Sequence, residues 1–149
     1  MPKRALKAFF AVAIFLILSP TSKANTLVPL EQYISSSDVE DPAVMSYIML
    51  RCSAQLSYTG MLMQGNNESH SKDLIELGST FGAYATILTN SQTSEDSDVI
   101  SQRNMNAIEQ MMQMHVKKGN ANYVSSGSYL DDADFENIAV CQSVREALF

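Results

Sequence analysis

Basic residues are scarce in this sequence, and many of them lie close to its start. The 149 residues include 10 Lys and Arg against 16 Asp and Glu, which gives a formal net charge of −6. Residues 25–149 keep six of the basic residues and all 16 acidic ones, so their net charge is −10. Nucleic-acid phosphates and anionic lipid head groups both attract clustered Lys and Arg. This shortage excludes nucleic acid and anionic membrane surfaces as expected partners.

Short motifs that mark common catalytic or nucleotide-binding sites are also missing. The sequence contains no nucleophile elbow, no phosphate-binding loop and no zinc signature. It has two histidines, and neither lies within a recognisable catalytic motif. Residues far apart in sequence can still meet in a folded site, but these absences favour a protein that is not an enzyme.

Long apolar runs are absent apart from one near the start of the chain. A stretch with three basic residues, 3–7, precedes an uncharged apolar run of 11 residues, 8–18. Small residues follow at Ser22 and Ala24, as a cleavage site requires. A membrane-spanning helix needs about 20 apolar residues. The pattern therefore predicts a cleaved signal peptide over residues 1–24, with an uncleaved signal anchor as the alternative.

This prediction sets the compartment and the domain organisation of the rest of the chain. After cleavage, we expect the protein to be exported, to a periplasm or to the exterior, and not to be inserted in a membrane. Residues 25–149 have the length of one domain and contain no internal repeat. A chain of this length buries roughly two-thirds of its unfolded surface, so it needs no metal merely to fold.

The chain has only two cysteines, Cys52 and Cys141. Export places both in an oxidising compartment, and neither belongs to a Cys-x-x-Cys redox motif. Cys52 follows Ile48 and precedes Leu56 at helical spacing, so it lies on an inward-facing apolar stripe. The sequence therefore predicts a Cys52–Cys141 disulfide.

Helix signals recur along the chain, and strand signals are weak throughout. The predicted fold is all-α, a four-helix up-down-up-down bundle with one disulfide, formed by residues 25–149 as a single domain. Capping residues and apolar spacing delimit the helices. The first helix begins at Asp41-Pro42 and ends near residue 64, the second begins at Ser71 and extends through Leu88, the third runs from near Ser94 to Gly119, a loop covers residues 120–130, and the fourth begins at Asp131 or Asp132.

Two features fall outside this simple scheme. Apolar residues between positions 27 and 34 have the spacing of one amphipathic turn that lies across the core. Gly78 and Gly82 lie on one flank of the second helix, where each costs about 1 kcal/mol of helix propensity. We interpret these glycines as a groove that lets a neighbouring helix approach closely.

Methionine and histidine are the sharpest candidates for a metal site. Met111, Met112 and His115 follow one another on the third helix, and thioether and imidazole ligands suit Cu(I). Met111 and His115 are four residues apart, so they share a helix face. A haem held by His115 without covalent attachment is a further alternative. Methionine also fills gaps in ordinary helical cores, and we predict that no cofactor is present.

Acidic residues cluster where the fourth helix begins, at Asp131, Asp132, Asp134 and Glu136. Calcium binds carboxylate oxygens, but the spacing here lacks the pattern of a calcium loop. Negative charge is also favourable at the start of any helix. We interpret this cluster as a helix N-terminus.

These observations together predict a function in binding. We expect an exported, acidic helical protein that binds another protein without catalysis, in an inhibitor-like, immunity-like or structural role. The acidic balance favours a basic partner, because opposite charge accelerates association. The alternative is a periplasmic protein that binds Cu(I) or haem through its Met and His side chains.

Overall fold

The computed structural model describes residues 27–148 and is all-helical over that range, without strands. The predicted signal peptide, residues 1–24, lies outside the described residues. Within residues 27–148, every helix is too short or too polar to cross a membrane. The five helices are α1 (Leu30–Ser35), α2 (Pro42–Met63), α3 (Glu68–Asn90), α4 (Ser97–Ser126) and α5 (Asp132–Leu148).

Helix α2 is the centre of the molecule. It begins as predicted, with Pro42 in the first turn and the Asp41 carboxylate accepting a hydrogen bond from Ala43 N at 2.8 Å. Residues 48–56 are buried without interruption, so α2 is enclosed on all sides rather than along one stripe. The four other helices all pack against it.

The structure has one helix more than predicted, and the four-helix up-down-up-down bundle is not confirmed. The amphipathic turn expected between residues 27 and 34 is the short helix α1. Leu30, at its first position, is 1% exposed, and its backbone N–H donates to Asn137 Oδ1 of α5 at 2.8 Å. This tertiary contact anchors a segment too short to be a stable helix by itself.

Helix α4 is longer than predicted, because Gly119 does not end it. The helix continues to Ser126 and ends at Gly127, which has the positive φ of 77° typical of a helix C-cap. Most of the predicted loop over residues 120–130 is therefore helical. Gly119 is instead a site of close packing, since a Cβ there would overlap the hydroxyl oxygen of Tyr58.

The N-cap of helix α3 lies four residues before the predicted one. Asn67 is the N-cap, and its side chain accepts a hydrogen bond from His70 N at 3.2 Å. Ser71, the predicted cap, is buried and donates from Oγ to the backbone oxygen of Gly60 at 2.7 Å. The serine therefore joins α3 to α2.

The predicted close approach of a helix at the α3 glycines is confirmed. A Cβ at Gly78 would lie 3.0 Å from the backbone oxygen of Ser53 in α2. At Gly82 it would meet side chains only, the nearest being Ile108 Cδ1 and Ser53 Oγ at 3.2 Å. Glycine at position 78 thus sets how near α3 lies to α2.

The predicted disulfide is confirmed. Cys52 of α2 and Cys141 of α5 are bonded, with their Cα atoms 5.5 Å apart. Both residues are completely buried. The bond closes a chain segment of 89 residues and fixes α5 to the central helix.

Candidate functional site

A cluster of polar side chains surrounds the start of α5, and its member Asp134 is the most buried polar residue of the described part of the chain. Asp134 N donates to Asp131 Oδ1 and Asp131 N donates to Asp134 Oδ2, both at 3.1 Å. This reciprocal pair is a capping box, which satisfies backbone N–H groups that a helix start otherwise leaves free. Asp134 is only 1% exposed, because α5 packs with this end against the rest of the molecule.

Lys118 of α4 joins both carboxylates of the capping box. Its Nζ lies 2.7 Å from Asp131 Oδ1 and 3.1 Å from Asp134 Oδ2. Burial alone would lower the pKa of Lys118, but the hydrogen bonds to the two aspartates outweigh burial and raise it. At Asp131 the hydrogen bonds with Lys118 and Asp134 outweigh burial and lower the pKa to about 2. Asn122 Nδ2 also donates to Asp131, at 3.2 Å.

These contacts bear on the acidic cluster at the start of α5. The ammonium of Lys118 supplies the positive charge that a bound cation would bring to Asp131 and Asp134. Among residues 27–148, no three His, Cys, Asp or Glu side chains are arranged to hold a metal ion. The interpretation of this cluster as a capped helix N-terminus agrees with the contacts.

His115 lies beside this capping box and is 7% exposed. Its Nδ1 is 3.8 Å from Asp134 Oδ1, which is longer than a hydrogen bond, and its ring stacks on Tyr58 with 5.6 Å between centroids. Burial, together with the charges of Lys118 and Arg51, lowers the pKa of His115 to about 4. His115 is therefore neutral at neutral pH.

Two buried oxygen atoms of this cluster have no hydrogen-bond partner in the described structure, Tyr58 Oη and Asp134 Oδ1. Burial raises the pKa of both groups. A cavity of about 70 Å³ lies beside His115, Lys118 and Asp134, and its other walls include Leu27. Pockets for small organic ligands are usually roughly 300–1,000 Å³. The cavity is therefore of a size for water rather than for a substrate.

The structure places the residues of the predicted copper site in or beside the hydrophobic core. Met111 is 9% exposed and belongs to the hydrophobic core, and Met112 is partly buried against that core. His115 has Asp134 as its nearest charged neighbour across the helix interface. Copper or haem at these residues stays a prediction, and a ligand would have to enter through packed side chains to reach them.

The neighbourhood of His115 could not be found from the helix pattern alone. It depends on Asp134, which comes from a different helix. The signal available in the sequence was the capping box itself, an Asp followed three residues later by an acidic residue, at Asp131 and Asp134. That signal predicts the helix start but not which residue of α4 meets it.

A second feature is an open groove between α3 and α4, with α2 as its floor. We call it the α3–α4 groove, and its volume is about 550 Å³. Charged side chains are missing from its lining, which is unusual in a chain with 16 acidic residues. Its lining consists of Ser53, Ser57, Ser79, Gly82, Ala83, Thr86, Ile87, Ser101, Asn104, Met105 and Ile108.

Small and large residues give this groove its shape. Ser53 and Gly82 keep the floor low, while Ile87 and Met105 stand on the two walls and are 60% and 54% exposed. Asn104 Nδ2 donates to Thr86 Oγ1 at 3.2 Å, which fixes the separation of α3 and α4. Sequence reasoning missed this groove because serine and alanine on a helix carry no distinctive signal.

No protein-family model, curated protein or solved structure matches this chain.

Proposed function

We propose that this protein is exported and acts by binding a basic protein partner, without catalysis, in an inhibitor-like, immunity-like or structural role. The observation that carries the proposal is the acidic balance of residues 25–149, whose net charge is −10. Of the six basic residues between positions 27 and 148, three are taken up inside the molecule or in ion pairs.

Each of these three cations has its own reason for being withdrawn. Arg51 is 4% exposed and lies over the ring of Tyr47, 5.9 Å from its centroid. Lys118 is held by the capping box of α5. Arg103 Nη1 bonds Glu95 Oε2 at 2.7 Å on the surface. Three acidic residues are withdrawn with these cations in the ion pairs, so three basic and 13 acidic residues remain and the net charge is still −10. This charge favours a partner of opposite charge.

Two further features support export. Residues 1–24 have the pattern of a cleaved signal peptide. The buried Cys52–Cys141 disulfide is of a kind that persists in oxidising compartments and is rare in the cytosol. Together they support a location in a periplasm or outside the cell.

The cluster around His115 supports a structural role better than a catalytic one. Its carboxylates are engaged by Lys118 and by backbone N–H groups, and the adjoining cavity is small. A catalytic group must reach a substrate, whereas these side chains join α4 to α5. We therefore propose that the cluster positions α5 and takes no part in chemistry.

The test is capture of a partner from the native exported fraction. The chain carries a C-terminal affinity tag, and extracts are applied at about 50 mM and about 500 mM salt, where screening lengths differ roughly threefold. We expect a basic protein to be retained at low salt and released at high salt. Retention of no protein at low salt would contradict the proposal, as would retention that does not respond to salt.

A matched variant separates specific from general attraction. Acidic residues outside the lining of the α3–α4 groove, such as Glu136 and Glu146 of α5, are changed to Gln in the control. If these changes lower capture as much as changes of acidic residues elsewhere, attraction depends on total charge alone. A defined interface requires that some positions matter more than others.

A further inference from the structure

The α3–α4 groove is uncharged along its length but acidic at both ends. At one end lies the start of α3, where Glu68, Asp73 and Glu76 outnumber Lys72 and the neighbouring Arg145 of α5. All of these side chains are exposed. Glu76 comes one helical turn before Ser79, which is part of the groove lining.

The start of α4 lies at the other end of the groove. Here Glu95, Asp96 and Asp98 outnumber Arg103, which is itself paired with Glu95. Asp98 comes one turn before Ser101 of the lining.

The antiparallel register of α3 and α4 sets the distance between the two acidic ends. Thr86 bonds Asn104, and Gly82 lies against Ile108, so the two helices run in opposite directions past one another. In this register Asp98 is level with the chain just beyond the end of α3. Glu76 therefore lies about 16 residues, or about 24 Å, from that level at 1.5 Å per residue.

We infer that the α3–α4 groove is the docking site for an amphipathic helix of the basic partner. This inference rests on the proposed binding function and specifies its surface. The partner helix lays an apolar face between Ile87 and Met105, and it carries Lys or Arg at two places about 24 Å apart, opposite the acidic ends. Helices that bind in grooves are held by a few apolar anchors, while charges at the rim steer and orient them.

A second copy of this chain fits the groove less well. Residues 25–149 carry a net charge of −10, so two copies repel one another. A second copy would also bring further acidic side chains to acidic ends. Residues 1–24, the other candidate within the chain, are removed under the proposed function.

The experiment uses two synthetic helical peptides of about 18 residues, long enough to span the groove. One has a Leu and Ala stripe with a pair of Lys at each end, and the other has Glu in place of Lys. Binding to the exported protein is measured by fluorescence anisotropy at low salt. We expect the Lys peptide to bind and the Glu peptide to bind at least about tenfold more weakly.

Variants then locate the binding surface. Ile87→Asp and Met105→Asp are each expected to weaken binding about tenfold. The double variant E76Q/D98N should weaken it several-fold and reduce its salt dependence. Val124→Asp is the matched control, because Val124 is 88% exposed and lies outside the groove, and it should leave binding unchanged. Circular dichroism checks that each variant is folded. The double variant E76Q/D98N should stay folded even if an Asp variant does not.

The outcomes separate the inference from the function on which it rests. Peptide binding that is unaffected by the groove variants, while a native partner is still captured, overturns the groove and leaves the proposed function standing. Failure to capture any native partner overturns the function itself. Self-association that is lost in Met105→Asp, measured by sedimentation, assigns the groove to a second copy and overturns the inference. If the Lys peptide binds only when residues 1–24 are absent, those residues are the occupant of the groove, and the inference is overturned.

Discussion

Replacing Gly78 by alanine tests the packing of α3 on α2, because two opposing effects can be weighed at one position. Alanine in a helix interior is favoured over glycine by about 1 kcal/mol. Against this, a Cβ at Gly78 would lie 2.5 Å from Ser57 Oγ, 3.0 Å from Ser53 O and 3.2 Å from Ser57 N. The hydroxyl of Ser57 can rotate away, but the two backbone atoms belong to the buried central helix and cannot.

Crowding therefore outweighs helix propensity at this position. Inserting a methyl group into a packed interior costs roughly 1–3 kcal/mol. After the gain in propensity, we expect Gly78→Ala to lower the free energy of unfolding by up to about 2 kcal/mol. The melting temperature should fall by up to about 8 °C for a domain of this size. Thermal unfolding followed by circular dichroism measures it.

Gly82→Ala is the matched control on the same helix. Its nearest contacts would be Ile108 Cδ1 and Ser53 Oγ, both at 3.2 Å, and both are side-chain atoms with room to adjust. Helix propensity should therefore decide the sign there, so that stability is unchanged or higher by up to about 1 kcal/mol. Equal effects of the two substitutions, or a stabilising Gly78→Ala, would refute the argument that glycine at position 78 sets the helix separation.

Three other predictions concern the disulfide and the polar cluster around His115. Cys52→Ser should leave Cys141 as a free thiol that reacts with a thiol reagent, and should cost up to about 4–5 kcal/mol of stability in the chain-entropy model; an equally stable variant would contradict it. The pKa of His115 falls from 6.5 to about 4 on folding, so its contribution is complete above about pH 6.5 and is lost as pH falls toward 4. His115→Gln should therefore flatten the pH dependence of unfolding by up to about 3 kcal/mol between those limits, and an unchanged pH profile would count against a neutral buried histidine. Lys118→Met leaves the buried Asp134 without its cation, so it should lower the free energy of unfolding by about 2 kcal/mol, a figure reduced for the partial exposure of Lys118. The pKa of Asp134 should rise further. Urea unfolding should therefore show a smaller loss of stability at pH 4 than at pH 7.

Features that depend on neighbouring residues could be predicted from the sequence. Asp41 and Pro42 mark the start of α2 because a cap needs only the side chain and the N–H groups of the next turn. The disulfide could be predicted because the chain has two cysteines, which allow a single pairing, and was expected to be exported. The close approach of a helix at Gly78 could be predicted because glycine is unfavourable inside a helix and is expected there only where packing requires it.

Features that depend on contacts between residues distant in sequence could not be predicted from the sequence. Gly119 after two lysines has the local pattern of a helix C-cap, and only the Tyr58 hydroxyl above it shows why a glycine is needed inside α4. Ser71 has the local pattern of an N-cap, yet its hydroxyl bonds the backbone of α2. In both cases the local sequence predicts a helix cap, but a contact with a different helix determines the position of the residue.

The same small residues explain both the compactness of the core and the openness of its surface. Ser53 illustrates this, since its backbone oxygen sets the approach of Gly78 and its side chain forms part of the floor of the α3–α4 groove. Larger side chains on α2 would separate the helices and fill the groove together. A groove of this kind remains open only if its lining stays small, although small residues such as serine and glycine are poor helix formers. The proposed docking of a partner helix needs this open space, which larger side chains at Ser53 and Gly82 would close.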